Sequence, residues 1–336
     1  MEKPMEIPGI GPVDEAVLRN FIPVEVGGDG LFRTGHDGVK AIFTPLDKVS
    51  ELIVFEDKTL VYIKSKMGHP AIYPLVEAQF EGPAEAVLMD LDGTSVHSEH
   101  FWIWVIERTT ARLLDNPKFQ LEAADEPHVS GHSVSEHLSY CVQKYCPDKT
   151  VEEARRHYFD IVHHEMAEIM AGRGRPNAFE PAPGLDEFLR KLKEKRVKIG
   201  LVTSGLYEKA WPEILSAFQT LKMGDPLDFY DAIITAGHAL RKGHAGTLGE
   251  LAPKPHPWLY AETARVGLGI DPSRRRRVVG MEDSGAGVVS IRLAGFSAIG
   301  VEGGNIDRSG SAPFLYRKIP TLLDALPIIL GGRSSV

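Results

Sequence analysis

From residue 84 onward, short and mostly apolar runs alternate with longer stretches whose apolar residues recur every three or four positions. The runs are Ala86–Met89, Val197–Val202, Ala232–Thr235, Val278–Met281 and Ala298–Val301. A strand buried on both faces has no polar side to alternate with, so these runs predict the strands of a mostly parallel sheet. The stretches Leu185–Glu194, Trp211–Gln219, Trp258–Val266 and Gly287–Leu293 carry the helical spacing between them. The pattern predicts an α/β fold with a doubly wound sheet, whose ligands belong at the carboxyl ends of the strands.

One interval breaks the alternation. Between the first two strands, Val151, Tyr158, Val162, Met166 and Ile169 mark one helix face. Phe101 to Leu114 and Ser133 to Tyr145 are two more helical candidates, the second opening on a Ser133/Glu136 capping box. These predict an inserted α-helical domain over residues 97–180, hinged just after Thr94 and at Pro181, Pro183 and Gly184. The core then comprises 84–96 and 181–330. Residues 1–80 read differently: Leu52–Phe55 and Leu60–Ile63 flank a four-residue turn, and several glycines mark loops, which predicts a small β-rich N-terminal extension. An extension of this size buries little core alone, so it should lean on the main domain or on another subunit, where it would make any oligomer contact.

Composition narrows the function classes. A net charge of −8 opposes general nucleic-acid binding and attachment to anionic membranes. The basic run Arg274–Arg277 leads straight into an apolar strand and reads as a solvated approach to it. Two cysteines, Cys141 and Cys146, make no disulfide framework, and residues 1–30 lack the apolar stretch of an export signal, so a cytoplasmic setting is expected. No apolar run is long enough to span a bilayer.

Chemistry collects where the predicted strands end. Asp90 and Asp92 close the first strand and are followed by Gly93. Carboxylates that close repel unless a cation compensates them, and Mg²⁺ is a hard cation suited to carboxylate and carbonyl oxygens. An acidic turn after an edge strand explains the segment equally well when it is taken alone. Thr203, Ser204 and Gly205 follow the second strand with hydroxyls and free amides suited to anionic oxygens. Lys254 stands among Pro253, Pro255 and Pro257, which stiffen its loop, and Glu282 with Asp283 ends the fourth strand. Adjacent His163 and His164 point about 100° apart on a helix and read as a solvated face rather than a metal site. The aromatic residues Phe101, Trp102 and Trp104 read as packing before substrate contact.

In that order the four segments resemble the motifs of the haloacid dehalogenase superfamily, in the subgroup with a helical cap between the first and second motifs. The matching stretches are Asp90-Leu91-Asp92-Gly93-Thr94, Leu201-Val202-Thr203-Ser204-Gly205, Lys254-Pro255-His256-Pro257 and Glu282-Asp283-Ser284-Gly285-Ala286-Gly287, with Pro183-Gly184-Leu185 before the second. The resemblance covers about residues 84–330 and implies a Rossmann-like core and a Mg²⁺-dependent phosphatase acting on a small phosphorylated metabolite. It implies that Asp90 is the nucleophile and Asp92 the general acid and base. Thr203, Ser204, Gly205 and Lys254 would bind phosphate, and Asp90, Asp92, Glu282 and Asp283 would hold the metal. Asp92 favours phosphate esters over the dehalogenase and phosphonate branches, which lack it.

A sugar phosphate mutase of the β-phosphoglucomutase type shares these motifs, and a non-catalytic phosphate-binding module shares the fold. The chain departs from the mutase-like pattern at Trp102, where histidine is expected, and from the commoner pattern at His97, where aspartate is usual. Lys242 in Arg241-Lys242-Gly243 rivals Lys254, because about ten further residues, His244 to Pro253, separate that turn from Lys254. The Pro-His-Pro after Lys254 favours the latter.

Overall fold

The computed structural model describes residues 5–64, 71–125, 134–235 and 252–331. The chain divides into two compact units, one of Met1–Ser95, Ala182–Ala210 and Asp225–Val336, the other of Val96–Pro181 and Trp211–Gly224.

The first unit begins with a hairpin of β1 (Met5–Ile7) and β2 (Gly11–Val13). A five-stranded antiparallel sheet follows: β3 (Phe21–Val24), β4 (Ala41–Pro45), β5 (Ser50–Val54), β6 (Thr59–Ile63) and β7 (Ala71–Pro74), paired in chain order. In β6 the buried residues Thr59, Val61 and Ile63 alternate with the half-buried Leu60 and Tyr62, the period of a sheet packed on one face. Ile7, Val13, Phe21, Phe43, Leu52 and Val61 share one apolar core with Leu88, Val288, Ala298 and Phe314, so this sheet packs on the main α/β domain. Only two of its strands were legible in the sequence pattern, because β3, β4 and β7 each contain a proline, which weakens a strand reading.

The six-stranded sheet is formed by β8 (Ala86–Asp90), β11 (Lys198–Thr203), β12 (Ala232–Thr235), β13 (Val278–Glu282), β14 (Ser297–Val301) and β15 (Arg317–Ile319). Its order is β12-β11-β8-β13-β14-β15, and every pairing is parallel. The strands β8, β13 and β14 are buried throughout, which explains why they read as unbroken apolar runs. The edge strand β15 escaped prediction because Arg317 and Lys318 are exposed. After β8 the chain builds toward β12 on one side and then crosses to β13 on the other, so the winding reverses beside β8. A crevice at the strand ends is the geometric result. Helix Leu185–Glu194 matches its predicted limits, and helix Tyr207–Leu221 begins earlier than expected and continues through Pro212. Trp258–Glu262 is α-helical and passes into a π-turn over Thr263–Gly267. Arg274–Arg276 lie exposed, and Arg277 half-buried, in a 3-10 turn immediately before β13.

The second unit contains the helices Glu99–Leu113, Val134–Tyr145 and Val151–Met170, with a short pairing of β9 (Val96–His97) and β10 (Glu180–Pro181). Tyr158, Met166 and Ile169 are buried as their spacing predicted, joined by Ala154 and Ile161. Phe101 is buried with its ring 4.3 Å from that of Phe179, a packing role, and His163 and His164 are exposed. Ser133, and with it the expected capping box, lies outside the described residues.

Candidate active site

The register of the central sheet sets the height of the site. Val202 of β11 pairs with Asp90, and Met281 of β13 pairs with Met89, so Glu282 stands level with Asp90 on the other side of β8. Beyond Asp90 the chain turns at Gly93, whose φ of 87° belongs to the left-handed region and where a Cβ would overlap the Asp283 carboxylate. That turn brings Thr94 beneath Asp283, to whose Oδ1 its hydroxyl donates at 3.2 Å. Ser284 caps helix Gly285–Leu293 by accepting from Gly287 N–H at 3.1 Å, and its hydroxyl donates to Glu282 Oε2 at 2.9 Å. Gly287 has no room for a side chain: a Cβ there would collide with the Glu282 carboxylate.

Lys254 gathers the acids. Its ammonium donates to Asp90 Oδ1, to Glu282 Oε1 at 2.6 Å and to the Val202 carbonyl at 3.3 Å, while its backbone N–H donates to Ser204 Oγ at 3.1 Å. The side chains of Lys254 and Asp90 are each 8% exposed and that of Glu282 is fully buried. Ligand oxygens of Asp90, Glu282 and Asp283 lie within 4.8 Å of one another, a set that could hold a metal ion. One lysine among three carboxylates, Asp90 and Glu282 buried and Asp283 half-buried, leaves the cluster short of positive charge. Burial, followed by the neighbouring Glu282, pushes the Asp90 carboxyl well above its usual range, and Lys254 only partly opposes this. The same two causes push Asp283 up to about 7. Burial pulls the Lys254 ammonium down, but Asp90 and Glu282 more than reverse this and keep it protonated. A hard divalent cation suits this all-oxygen donor set and would supply the missing charge.

The other predicted residues are distributed around this cluster. Thr203 is buried at the end of β11 and its hydroxyl accepts from Gly205 N–H at 2.9 Å; Ser204 is exposed. The Asp92 side chain lies outside the three-acid set and is paired with Lys209 at 3.5 Å. Lys242 and residues 244–251 of the insertion fall outside the described residues, whereas Lys254 makes the contacts its candidacy requires. Sequence reasoning missed Tyr260, whose hydroxyl donates to Glu282 Oε1 at 2.8 Å, and Asn305, whose Oδ1 accepts from Gly285 N–H at 2.8 Å. It also missed Lys209 and Thr94. No local pattern announces these contacts, although Thr94 is the last residue of the first motif.

A family model described as haloacid dehalogenase-like hydrolase matches residues 87–301. The chain belongs to that family. A helical insert lies between its first two core strands, as in the capped subgroup that its motifs resemble. Among curated proteins, this family member is 26% identical over 223 residues to validoxylamine A 7'-phosphate phosphatase of Streptomyces hygroscopicus subsp. limoneus, covering 65% of this chain and 85% of that protein. Among solved structures, a subfamily IA hydrolase of the superfamily from Geobacter sulfurreducens PCA matches with a TM-score of 0.52 at 16% identity, covering 75% of this chain and 99% of the other. A predicted phosphoglycolate phosphatase from Haemophilus somnus 129PT matches with a TM-score of 0.51 at 17% identity, covering 74% and 98%. These structural likenesses establish the shared fold. Among the described residues, no helix of this hydrolase is long and apolar enough to cross a membrane.

Proposed function

We propose that this hydrolase is a Mg²⁺-dependent phosphatase that cleaves the phosphomonoester of a small metabolite through an aspartyl-phosphate intermediate. The observation that carries the reading is the convergence of Asp90, Lys254, Glu282 and Asp283 at the carboxyl ends of adjacent strands. In the first step an Asp90 carboxylate oxygen forms a bond to phosphorus as the ester P–O bond breaks, and Asp92 gives its proton to the departing alkoxide. In the second, Asp92 takes a proton from water, the water oxygen bonds to phosphorus, and the Asp90–phosphorus bond breaks to release inorganic phosphate. Exposure of Asp92 suits this traffic better than burial would, because it must exchange protons with leaving group and water.

Lys254 holds the Asp90 carboxylate in line and carries positive charge toward the transferring oxygens. Thr203, Ser204 and the amide of Gly205 provide hydroxyl and N–H groups for the remaining phosphoryl oxygens. Asp90 and Asp283, with Glu282 behind them and the Asp92 carbonyl, would hold Mg²⁺, which supplies electrostatic stabilisation of the phosphoryl charge. The relative named as validoxylamine A 7'-phosphate phosphatase fits the phosphomonoester class. The test is phosphate release from a panel of sugar, polyol and nucleotide monophosphates with Mg²⁺, by the native chain and by Asp90→Asn. Release by the native chain alone is expected. Equal rates for both proteins, or isomerisation of a sugar phosphate without phosphate release, would overturn the reading.

A further inference from the structure

The loop that carries the active-site lysine is held from the N-terminal sheet. Tyr73, on β7, hydrogen-bonds through its hydroxyl to His256 Nδ1 at 2.8 Å, across 183 residues of chain. Its ring meets His256 edge-on at a centroid distance of 5.8 Å and Trp258 at 6.3 Å. His256 is 1% exposed, and its carbonyl accepts from Ser290 Oγ at 2.5 Å on helix Gly285–Leu293. The residue is thus gripped on one side by the N-terminal sheet and on the other by the helix behind Glu282. Only Pro255 separates it from Lys254, and prolines at 253, 255 and 257 remove most of the backbone freedom that would absorb a displacement. A lysine has a flexible stem, so the direction of its ammonium depends on how firmly its backbone is set.

We infer that Tyr73 is a positioning residue for Lys254, acting through His256, and that the N-terminal sheet is part of the support of the active site. The inference rests on the phosphatase reading for the role of Lys254. Losing one part-buried hydrogen bond that sets the position of Lys254 corresponds to a rate loss of about fivefold to tenfold. Tyr73→Phe, Lys254→Met and the double variant are to be compared with the native chain for p-nitrophenyl phosphate hydrolysis with Mg²⁺, for orthovanadate affinity by calorimetric titration, and for thermal unfolding. Tyr73→Phe keeps the ring packing and should lower kcat and vanadate affinity by about fivefold to tenfold in the native background. It should change vanadate affinity by less than about twofold in the Lys254→Met background, because the contact acts through the lysine. No loss in the native background, or the same loss in both, overturns the assignment; a general structural role would give the same loss in both. Should the native chain hydrolyse no phosphomonoester at all, the phosphatase reading fails, while the vanadate titrations still decide the role of Tyr73. A second pair guards against misfolding of Tyr73→Phe: His256→Asn, which keeps a polar atom near Nδ1, should lose less than His256→Leu, and equal losses would also overturn the inference.

Discussion

Two buried aspartates in this molecule meet opposite surroundings. Asp125, in the helical unit, is fully buried and accepts from Tyr140 Oη at 2.7 Å, Lys144 Nζ at 2.7 Å, Tyr145 Oη at 2.5 Å and Glu122 N–H at 2.8 Å. Burial opposes its ionisation, but Lys144, both phenols and the amide outweigh burial and hold the carboxyl well below the usual range. Asp90, in the core unit, shares one lysine with Glu282 and stands near a third carboxylate, so burial and its neighbours raise it instead. The helical unit satisfies its charge internally. The core unit leaves a deficit that a bound cation can fill.

The largest test of that contrast is Asp90→Asn, expected to lower phosphate release by roughly 10⁴-fold. A rate within threefold of native would remove Asp90 from the chemistry. Chelation of Mg²⁺ should likewise abolish turnover. It should also expose a pH dependence, because Asp283, raised from 3.8 to about 7, contributes stability that is present below 3.8 and lost as pH rises through about 7. Saturating Mg²⁺ near a hundredfold excess over Kd should restore about 3 kcal/mol, and calorimetry should find more stabilisation at pH 8 than at pH 6. Stabilisation that does not grow with pH would show that these carboxylates do not hold the ion.

Asp125→Ala should cost about 3 kcal/mol of unfolding free energy, since it leaves Lys144 and two phenols without their acceptor. Its sign is opposite to that of Asp90→Asn, which relieves repulsion and should raise the melting temperature of the metal-free protein. If both substitutions destabilise alike, the contrast between the two acids is lost. Stability supplied by Asp125 is present above the normal carboxylate pKa and lost as pH falls through its depressed folded value, the reverse of Asp283. The smallest effect belongs to Lys209→Met. Its pair with Asp92 is 3.5 Å long and more than a third exposed, so stability should change by under about 1 kcal/mol. A larger change in chemical denaturation would mean that this pair is part of the rigid site.

The motifs were legible because each combines a buried strand with polar residues that packing does not require. Asp90, Thr203, Glu282 and Asp283 end apolar runs, and that abrupt change marks a strand terminus without any structure. Gly93 and Gly287 were visible as glycines, but the carboxylates that leave no room for a side chain there were not. The choice between Lys254 and Lys242 illustrates the limit. Spacing left two candidates, and the contacts of Lys254 with Asp90 and Glu282 favour one of them. The N-terminal sheet was largely hidden, as its short strands alternate weakly and depend on partners across the core.

By itself the sequence determined five core strands along the chain, the presence of a helical insert and the residue types from which a phosphoryl-transfer site is made. Those follow from local periodicity and from polar groups where an apolar run stops. Tertiary structure decided which acid is compensated and which is left charged, and that Tyr73, Tyr260 and Lys209 stand beside the loops they serve. The physical reason is range: propensity and periodicity act over a few residues, whereas burial, charge compensation and a hydrogen bond from Tyr73 to His256 depend on segments that only folding brings together.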